Sequence, residues 1–505
     1  MGNDRGKSLP LRTSDALTRR GILQRAGWIV VASAIPPAAL FGTKYGVAMA
    51  AGSVSPVMAK LSAYMSEAGN RALPDDVVEE TKHHILDTIA AMVSGSELPP
   101  GRAAIKFARA YGGEKIATVV AANFMCGPIE AALTNGLLAH SDETDDSHAP
   151  SESHPGSSVV PAALAAAEQF GIDGMHFLRA VTLGYDVGTR VNMTLGAQAF
   201  RVETHRATHM IAGTFGSAAA AGCAASLNAQ QMRWLLDYAS QEASGIAAWQ
   251  RDTDHIEKGF VFAGGPARNG VTAALLVQSG WTGVDDVFSG ADNFFLANQR
   301  PAEPVQMIEK LGERYEIVRT NIKKWTVGSP IQAPLDALEI ILKKHPFNAD
   351  QVQNVNVHVA TEEASIVDNR EIPDICLQHM VAVMLVDKTA SFKAAHDKQR
   401  MQDPEILRQR AKVQLIKDAE LQRRVPRREG IVEVTLTDGT KLTEHVEAVR
   451  GSAENPMSRD EVVTKCRDLM APVLGTANTA SIIEKVLGLE NVKNIRELRP
   501  FLQRA

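Results

Sequence analysis

The sequence predicts a mainly α-helical protein with a smaller part that mixes helices and strands. The chain has 505 residues, of which 45% are hydrophobic but only 5% are aromatic. Frequent Ala, Gly and Ser residues suit closely packed helices better than a large β-sandwich. Apolar residues recur at helical spacing through roughly the first 300 residues, and a β-rich pattern follows only later. Because the chain is too long for one compact core, we expect two or three domains.

The helical patterns dominate the first part of the chain. The clearest one opens at Pro74-Asp75-Asp76, has apolar residues at helical spacing from Val78 to Val93, and ends at Gly95. Similar patterns follow at residues 128–142, 158–170, 174–192, 211–226 and 229–243. Together they predict the first part of a helical domain, over residues 51–320.

The later part of the chain carries signals for strands. Closely spaced valines from Val352 to Val359 predict a strand, and Ile431 to Val446 predicts a hairpin that turns at Asp438-Gly439. Helical patterns lie between them, at residues 376–387 and 403–418. A mixture of this kind is typical of an α+β domain.

These patterns predict the domain organisation. We expect the α+β part, over residues 321–450, to form a lid domain. Residues 451–505 are helical again and are expected to return to the first domain. The fold is therefore predicted to be a large all-helical domain, built from N- and C-terminal segments, with a smaller α+β lid.

The first fifty residues have the features of a twin-arginine export signal in the right order. Arg19-Arg20 precedes an apolar run from Trp28 to Phe41, and Ala48-Met49-Ala50 suits signal cleavage. A membrane anchor is the alternative, but the run is shorter than the roughly 20 residues that a spanning helix needs. We predict a signal peptide at residues 1–50 and a periplasmic or otherwise exported mature protein without a stable membrane span.

Charge and cysteine spacing argue against two kinds of site. Lys and Arg number 53 against 58 Asp and Glu, and no basic segment is rich in aromatic residues, which disfavours nucleic acid as a partner. The cysteines form no C-x-x-C pair, so we expect buried apolar residues rather than zinc or redox sites. They are Cys126, Cys223, Cys376 and Cys466.

The densest polar cluster runs from His140 to His148, and His154 follows it. His140, Glu143 and Ser147 have the spacing that aligns side chains on one helix face. Three interpretations are open: a solvated acidic loop, a metal site, or an acid/base site in which histidines and carboxylates carry protons. No H-E-x-x-H or EF-hand spacing supports the metal site.

The same cluster resembles a family signature. Three strings, Gly136-Leu137-Leu138-Ala139-His140, Asp145-Asp146-Ser147-His148 and His154-Pro155-Gly156, are similar to the signature of the MmgE/PrpD family. The resemblance extends from about Leu73 to the C-terminus. This family includes 2-methylcitrate dehydratase, cis-aconitate decarboxylase and iminodisuccinate epimerase. The resemblance implies a homodimer built on the helical domain, and no cofactor or metal.

The resemblance also implies candidate catalytic residues. A family aspartate falls on Glu143, a family threonine on Ser147 and a family histidine on His154. A second family histidine falls between His205 and His209, so either could serve, and we favour His209. We predict that His154 and His209 transfer protons, and that Glu143 and Ser147 position the substrate or a histidine.

Three further residues are predicted to bind the substrate. Lys258 and Lys323 match two family lysines and are expected to clamp carboxylates from opposite sides of an interdomain cleft. His379 stands where relatives carry a tyrosine, so a titratable donor replaces a phenol there.

The predicted function is that of a lyase or isomerase acting on a small di- or tricarboxylic acid. A base removes the proton beside a carboxylate, and cations stabilise the enolate charge that develops. A dehydratase similar to 2-methylcitrate dehydratase is favoured, and decarboxylation or epimerisation could follow the same carbanion-like stage. The alternatives are an exported relative that binds carboxylates without turnover, and a metal-dependent hydrolase that uses the His and Asp cluster.

Overall fold

The computed structural model describes residues 54–300 and 304–504. The predicted export signal at residues 1–50 lies outside the described residues. Helices dominate the described ranges and strands form only two small sheets, so the predicted mainly α fold is confirmed. Within these ranges, every helix is too short or too polar to span a bilayer.

The first part of the described chain is helical, with one short antiparallel strand pair. Its elements are α1 (Pro56–Glu67), α2 (Asp75–Gly95), α3 (Pro99–Tyr111), β1 (Ala117–Thr118), β2 (Met125–Cys126), α4 (Pro128–Ala139), α5 (Pro155–Phe170), α6 (Gly174–Leu195), α7 (Ala197–Thr204), α8 (Thr208–Ala224), α9 (Ala229–Glu242), α10 (Ile256–Gly259), α11 (Gly265–Gln278) and α12 (Phe294–Ala297).

Helix α8 lies at the centre of this part. All of its residues are buried, and it packs against α5, α6 and α11. Small residues allow the helix axes to approach closely, because a Cβ atom added at Gly184 of α6 would lie 2.8 Å from the carbonyl oxygen of Gly216 in α8. The frequent Ala, Gly and Ser residues of the sequence thus allow these helices to pack closely.

The next part combines helices with a four-stranded sheet. Its elements are α13 (Ser329–Lys344), β3 (Val352–Ala360), α14 (Thr361–Val367), α15 (Leu377–Asp387), α16 (Phe392–His396), α17 (Pro404–Arg410), β4 (Val413–Asp418), α18 (Ala419–Arg424), β5 (Gly430–Leu436) and β6 (Lys441–Val446). The strand order is β4-β3-β5-β6, with β3 parallel to β4 and antiparallel to β5. The hairpin predicted to turn at Asp438-Gly439 is β5–β6.

The helix predicted at residues 403–418 is wrong in its second half. Helix α17 ends at Arg410, and residues from Val413 onward form β4, which pairs with β3 from Val355 to Ala360. The local apolar spacing suited a helix, but hydrogen bonds to a strand that is distant in sequence decided the conformation.

The C-terminal segment, from Arg459 onward, is helical and packs against α2. It contains α19 (Arg459–Leu474), α20 (Thr476–Leu487) and α21 (Arg499–Leu502). A capping box between Ser458 and Glu461 starts α19. Helix α19 packs on α2, and both contribute to one hydrophobic core, whereas residues from Trp325 to Val449 form a separate core. All four cysteines are buried and unpaired in the described chain, as predicted.

Candidate active site

The polar segment between α4 and α5 is buried. Residues 140–148 are all buried, although the segment contains four carboxylates and two histidines. Buried charges persist only when they are paired or hydrogen-bonded. The solvated-loop interpretation is therefore wrong, and the partners of these groups define the site.

Asp145 holds two histidine rings. Its Oδ2 atom accepts a hydrogen bond from His140 Nδ1 at 2.9 Å, and both of its oxygens lie 3.2 Å from His154 Nδ1. Burial alone would raise the pKa of Asp145, but its interactions with His140, His154 and Lys323 hold that pKa well below its usual range. Because the carboxylate is an acceptor, Nδ1 of His154 must donate, and Nε2 is left to accept a proton.

Asp146 anchors the start of α5, where His154 lies. Its Oδ1 atom accepts from the backbone N–H of Gly156 at 2.9 Å, while Oδ2 accepts from Tyr185 Oη at 2.5 Å and contacts His84 Nδ1 at 2.8 Å. A Cβ atom at Gly156 would lie 2.7 Å from the Asp146 carboxylate. Only glycine allows this approach. Asp145 therefore holds the ring of His154, and Asp146 holds the backbone two residues further along.

Glu143 joins the two lysines that were predicted to bind substrate. Its Oε1 atom forms an ion pair with Lys258, and its Oε2 atom lies 3.4 Å from Lys323 Nζ, which also donates to the Glu143 carbonyl at 2.9 Å. The Glu143 residue is 3% exposed. Burial would raise its pKa, but the two ammonium groups lower the pKa well below the usual value. The sequence spacing of 115 and 180 residues shows that tertiary packing alone creates this triad.

Ser147 brings Lys323 to the cluster through its backbone. The N–H of Ser147 donates to the carbonyl of Asn321 at 2.9 Å, and the N–H of Asn321 donates back at 2.8 Å. Lys323 lies two residues further along, and its Nζ atom comes within 3.6 Å of Asp145 Oδ1. The main chain of Ser147 thus ties the segment that carries Lys323 to the cluster.

The ring of Phe262 lies between the rings of His140 and His209. It lies in a π-helical turn, Phe260–Gly264, a conformation often found at functional sites. Its ring stacks on His209, with centroids 3.5 Å apart, and on His140 at 4.6 Å. The ring of Trp249 meets Phe262 edge-on at 4.7 Å. This apolar lining removes the histidines from water.

The two histidines chosen as proton carriers lie side by side. The ring centroids of His154 and His209 are 5.4 Å apart. Burial lowers the pKa of His154 to about 4, against the opposing charge of Asp145, and burial together with neighbouring cationic groups lowers that of His209 well below its usual value. Both rings are therefore neutral near pH 7 and able to accept a proton. His205 is exposed at the end of α7, so the structure places His209, not His205, in the cluster.

His379 does not join this group. It is fully buried in α15, where burial and the charges of Arg410 and Arg400 lower its pKa to about 4. Arg410 is the last residue of α17, and α15 packs on that helix. Asp374 lies just before α15, and burial raises its pKa to about 7. The charge of His396 lowers this pKa, and the charge of Glu143 raises it, so Asp374 interacts with the site.

Two cavities reach the cluster. The first, of about 300 Å³, is lined by Lys258, His255, Trp249, Arg201 and Arg370, and is called the Lys258 cavity below. The second, of about 280 Å³, is lined by Lys323, Ser147 and several arginines, and is called the Lys323 cavity. The two lysines therefore line different cavities, and the carboxylate of Glu143 contacts both lysines.

Several residues of the site were not assigned roles from the sequence. Asp145 and His140 lie in the strings that resemble the family signature, and His255 lies three residues before Lys258, so their closeness in sequence to predicted residues was a usable signal. Phe262, Trp249 and Asp374 carried no such signal, because their contribution depends on which helix faces they share. One cluster unites six of the predicted residues, and His379 lies apart from it. The six are His154, His209, Glu143, Ser147, Lys258 and Lys323.

The fold is rich in helices, and the site is a buried cluster of histidines, carboxylates and lysines. The family model for the MmgE/PrpD N-terminal domain matches residues 59–305, and that for the MmgE/PrpD C-terminal domain matches residues 325–489. The chain belongs to the MmgE/PrpD family, as the sequence predicted.

Curated relatives agree with this assignment. The chain is 25% identical over 480 residues to cis-aconitate decarboxylase of Aspergillus terreus, a match that covers 89% of this chain and 96% of that protein. It is 24% identical over 462 residues to cis-aconitate decarboxylase of Homo sapiens, covering 85% and 91% of the two chains. The Mus musculus enzyme of the same name is 23% identical over 453 residues, covering 85% and 90%.

Proposed function

We propose that the protein is a lyase that acts on a small di- or tricarboxylic acid by proton transfer at a carbon beside a carboxylate. The observation that carries the proposal is a pair of neutral histidines, His154 and His209, enclosed beside the ammonium groups of Lys258 and Lys323. The naming of relatives as cis-aconitate decarboxylases supports carboxylate chemistry. The homodimer implied by the family resemblance remains a prediction.

The geometry supports a division of roles. His154 accepts a proton at Nε2 while Asp145 holds its Nδ1–H and stabilises the imidazolium that forms. Lys258 stabilises the negative charge that develops on the substrate carboxylate. The imidazolium of His154 then returns that proton to carbon or to a departing group, and the neutral ring of His209 beside it can accept a proton in the same way. A histidine pair can serve a decarboxylation, which needs a proton on carbon, or a dehydration, which needs one on the departing hydroxide. The decarboxylase names of the relatives favour the first, and a 2-methylcitrate dehydratase-like reaction is the second candidate.

Proton–deuterium exchange in heavy water tests the proposal, because exchange reports carbon acidity whichever product forms. The panel contains citrate, 2-methylcitrate, cis-aconitate and smaller di- and tricarboxylates. Lys258→Ala and Lys323→Ala should each weaken binding by about ten- to a hundredfold, the effect of losing a charge-assisted hydrogen bond. Lys343→Ala is the control, since its side chain is 71% exposed. Binding without exchange would favour the non-catalytic carboxylate-binding alternative, and no binding at all would exclude the polycarboxylate assignment for this panel.

Metal independence is a further expected result. Among the residues that the structure describes, two groups could offer donor atoms within 4.8 Å of one another: His140 with Asp145 and His154, and His140 with Glu143 and His255. The same carboxylates already contact ammonium groups, which would repel a divalent cation. We expect activity to survive chelator dialysis, with no stoichiometric zinc, iron or manganese by elemental analysis. A co-purifying metal that turnover requires would favour the hydrolase alternative instead.

Export by the twin-arginine route is also part of the proposal. The motif Arg19-Arg20 ahead of the apolar run supports it. Changing both residues to lysine keeps the charge but removes the recognised pair, so the precursor should accumulate in the cytoplasm. Fractionation followed by immunoblotting measures this, with Arg12→Lys as the control outside the pair. Export of the double variant at the wild-type level would contradict the proposal.

A further inference from the structure

Asp145 lies between two residues that are held by contacts outside the site. The following residue, Asp146, has its carboxylate held by side chains of α2 and α6. The preceding residue, Thr144, is held through its backbone carbonyl, which accepts a hydrogen bond from Nζ of Lys465 at 3.1 Å. The position of the Asp145 carboxylate therefore depends on an anchor on each side of it.

Lys465 reaches the Thr144 carbonyl from the C-terminal segment, 321 residues further along the chain. It lies in α19, and its side chain is only 7% exposed. The same ammonium group lies 2.6 Å from Oδ1 of Asp87, a fully buried residue of α2. Because an ammonium group has three donors, Lys465 can hold the carboxylate and the carbonyl together. Its contact with Asp87 keeps the ammonium group in place beside the site segment.

We propose that Lys465 is a positioning residue of the active site, which fixes the backbone at Thr144 so that the carboxylate of Asp145 meets Nδ1 of His154. The carboxylate oxygens lie 3.2 Å from this nitrogen. A hydrogen bond of that length is at the long end of the usual range, so a small displacement of the backbone would break it. His154 would then lose the contact that sets its tautomer and stabilises its imidazolium. The inference rests on the proposed function, since it concerns the proton transfer assigned to His154.

The double variant with Lys465→Met and Asp87→Asn tests this role. Lys465→Met alone would leave Asp87 buried without its partner and would destabilise the fold. The double variant removes both charges, and it still removes the anchor on Thr144. Its kcat should fall by about ten- to a hundredfold, because a displacement of about 1 Å at a catalytic group can cost about a hundredfold in rate. This fall should exceed any rise in KM, and steady-state kinetics on citrate, 2-methylcitrate and cis-aconitate measure both.

The tautomer of His154 provides a measurement that does not depend on turnover. NMR of the histidine ring nitrogens distinguishes a proton on Nδ1 from a proton on Nε2, and the His154→Ala variant assigns the signals of this ring. The proton should lie on Nδ1 in the wild type, and the double variant should lose this preference. Lys465→Arg keeps the charge and has enough donors for both contacts, so it should retain most of the rate and the wild-type tautomer.

Lys82→Met is the matched control for the loss of a buried lysine. Lys82 lies in α2, its side chain is also 7% exposed, and it pairs with Glu490 of the C-terminal segment at 2.8 Å. This variant should lower thermal stability without changing kcat or the tautomer of His154. A folded double variant that keeps the wild-type kcat, or that keeps the His154 proton on Nδ1, would overturn the inference. Absence of deuterium exchange by the wild type on every acid would instead count against the proposed function.

Discussion

His154→Ala is expected to lower turnover by about two to four orders of magnitude, while substrate affinity changes much less. General acid–base catalysis typically contributes a factor of about 10² to 10⁴, and His154 is the histidine whose free Nε2 is set by the contact between Nδ1 and Asp145. Single-turnover rates and calorimetric binding constants measure the two effects separately. His205→Ala is the matched control, because His205 is exposed outside the cluster.

The pH dependence of the wild type provides an independent check. Burial lowers the pKa of His154 to about 4, so the base form predominates above that pH and is lost as the pH falls through it. The rate kcat/KM should therefore stay nearly level from pH 7 down to about 5 and fall below that, as long as the protein stays folded. An acid limb near pH 6.5, the ordinary histidine value, would show that His154 is not the base in this environment. Equal losses of binding and turnover in His154→Ala would point to the same conclusion.

Asp145→Asn is expected to lower kcat by about a hundredfold or more, which is the lower end of what acid–base catalysis contributes. The amide can no longer hold the Nδ1–H of both His140 and His154 or stabilise an imidazolium. Because Asp145 is a positioning residue, kcat should fall more than KM rises. The Asp145 charge also raises the pKa of His154, so its removal should move the acid limb of kcat/KM to lower pH.

A buried aspartate away from the site controls for a purely structural effect of Asp145→Asn. Asp237 is 8% exposed and accepts a hydrogen bond from the backbone of Val284 at 2.9 Å. Asp237→Asn should change thermal stability without changing the pH profile. Asp145→Glu, which keeps the charge, should recover part of the lost rate. If Asp145→Asn only lowers stability and leaves kcat and its pH profile intact, Asp145 has no role in positioning the base.

Local sequence patterns were enough to predict most of the helices and the family to which the chain belongs. Helix α2 begins at Asp75 and ends at Gly95, as its apolar spacing and its terminal residues predicted. The hairpin at Asp438-Gly439 was equally clear, because a turn signal between two β-rich runs acts within a few residues. Patterns of this kind depend on neighbours in sequence, which the chain displays directly.

Tertiary structure decided which side chains meet. Residues 413–418 became a strand because β3 lay beside them, and His209 entered the site while His205 faced solvent. The π-helical turn put Phe262 between His140 and His209, whereas His379 is buried in α15, where the charges of Arg410 and Arg400 act on it. Sequence reasoning found Lys258, Lys323 and Glu143 separately, but their ion pairs depend on contacts 115 and 180 residues apart. Such contacts are set by how whole helices pack, and this information is absent from any local spacing of residues.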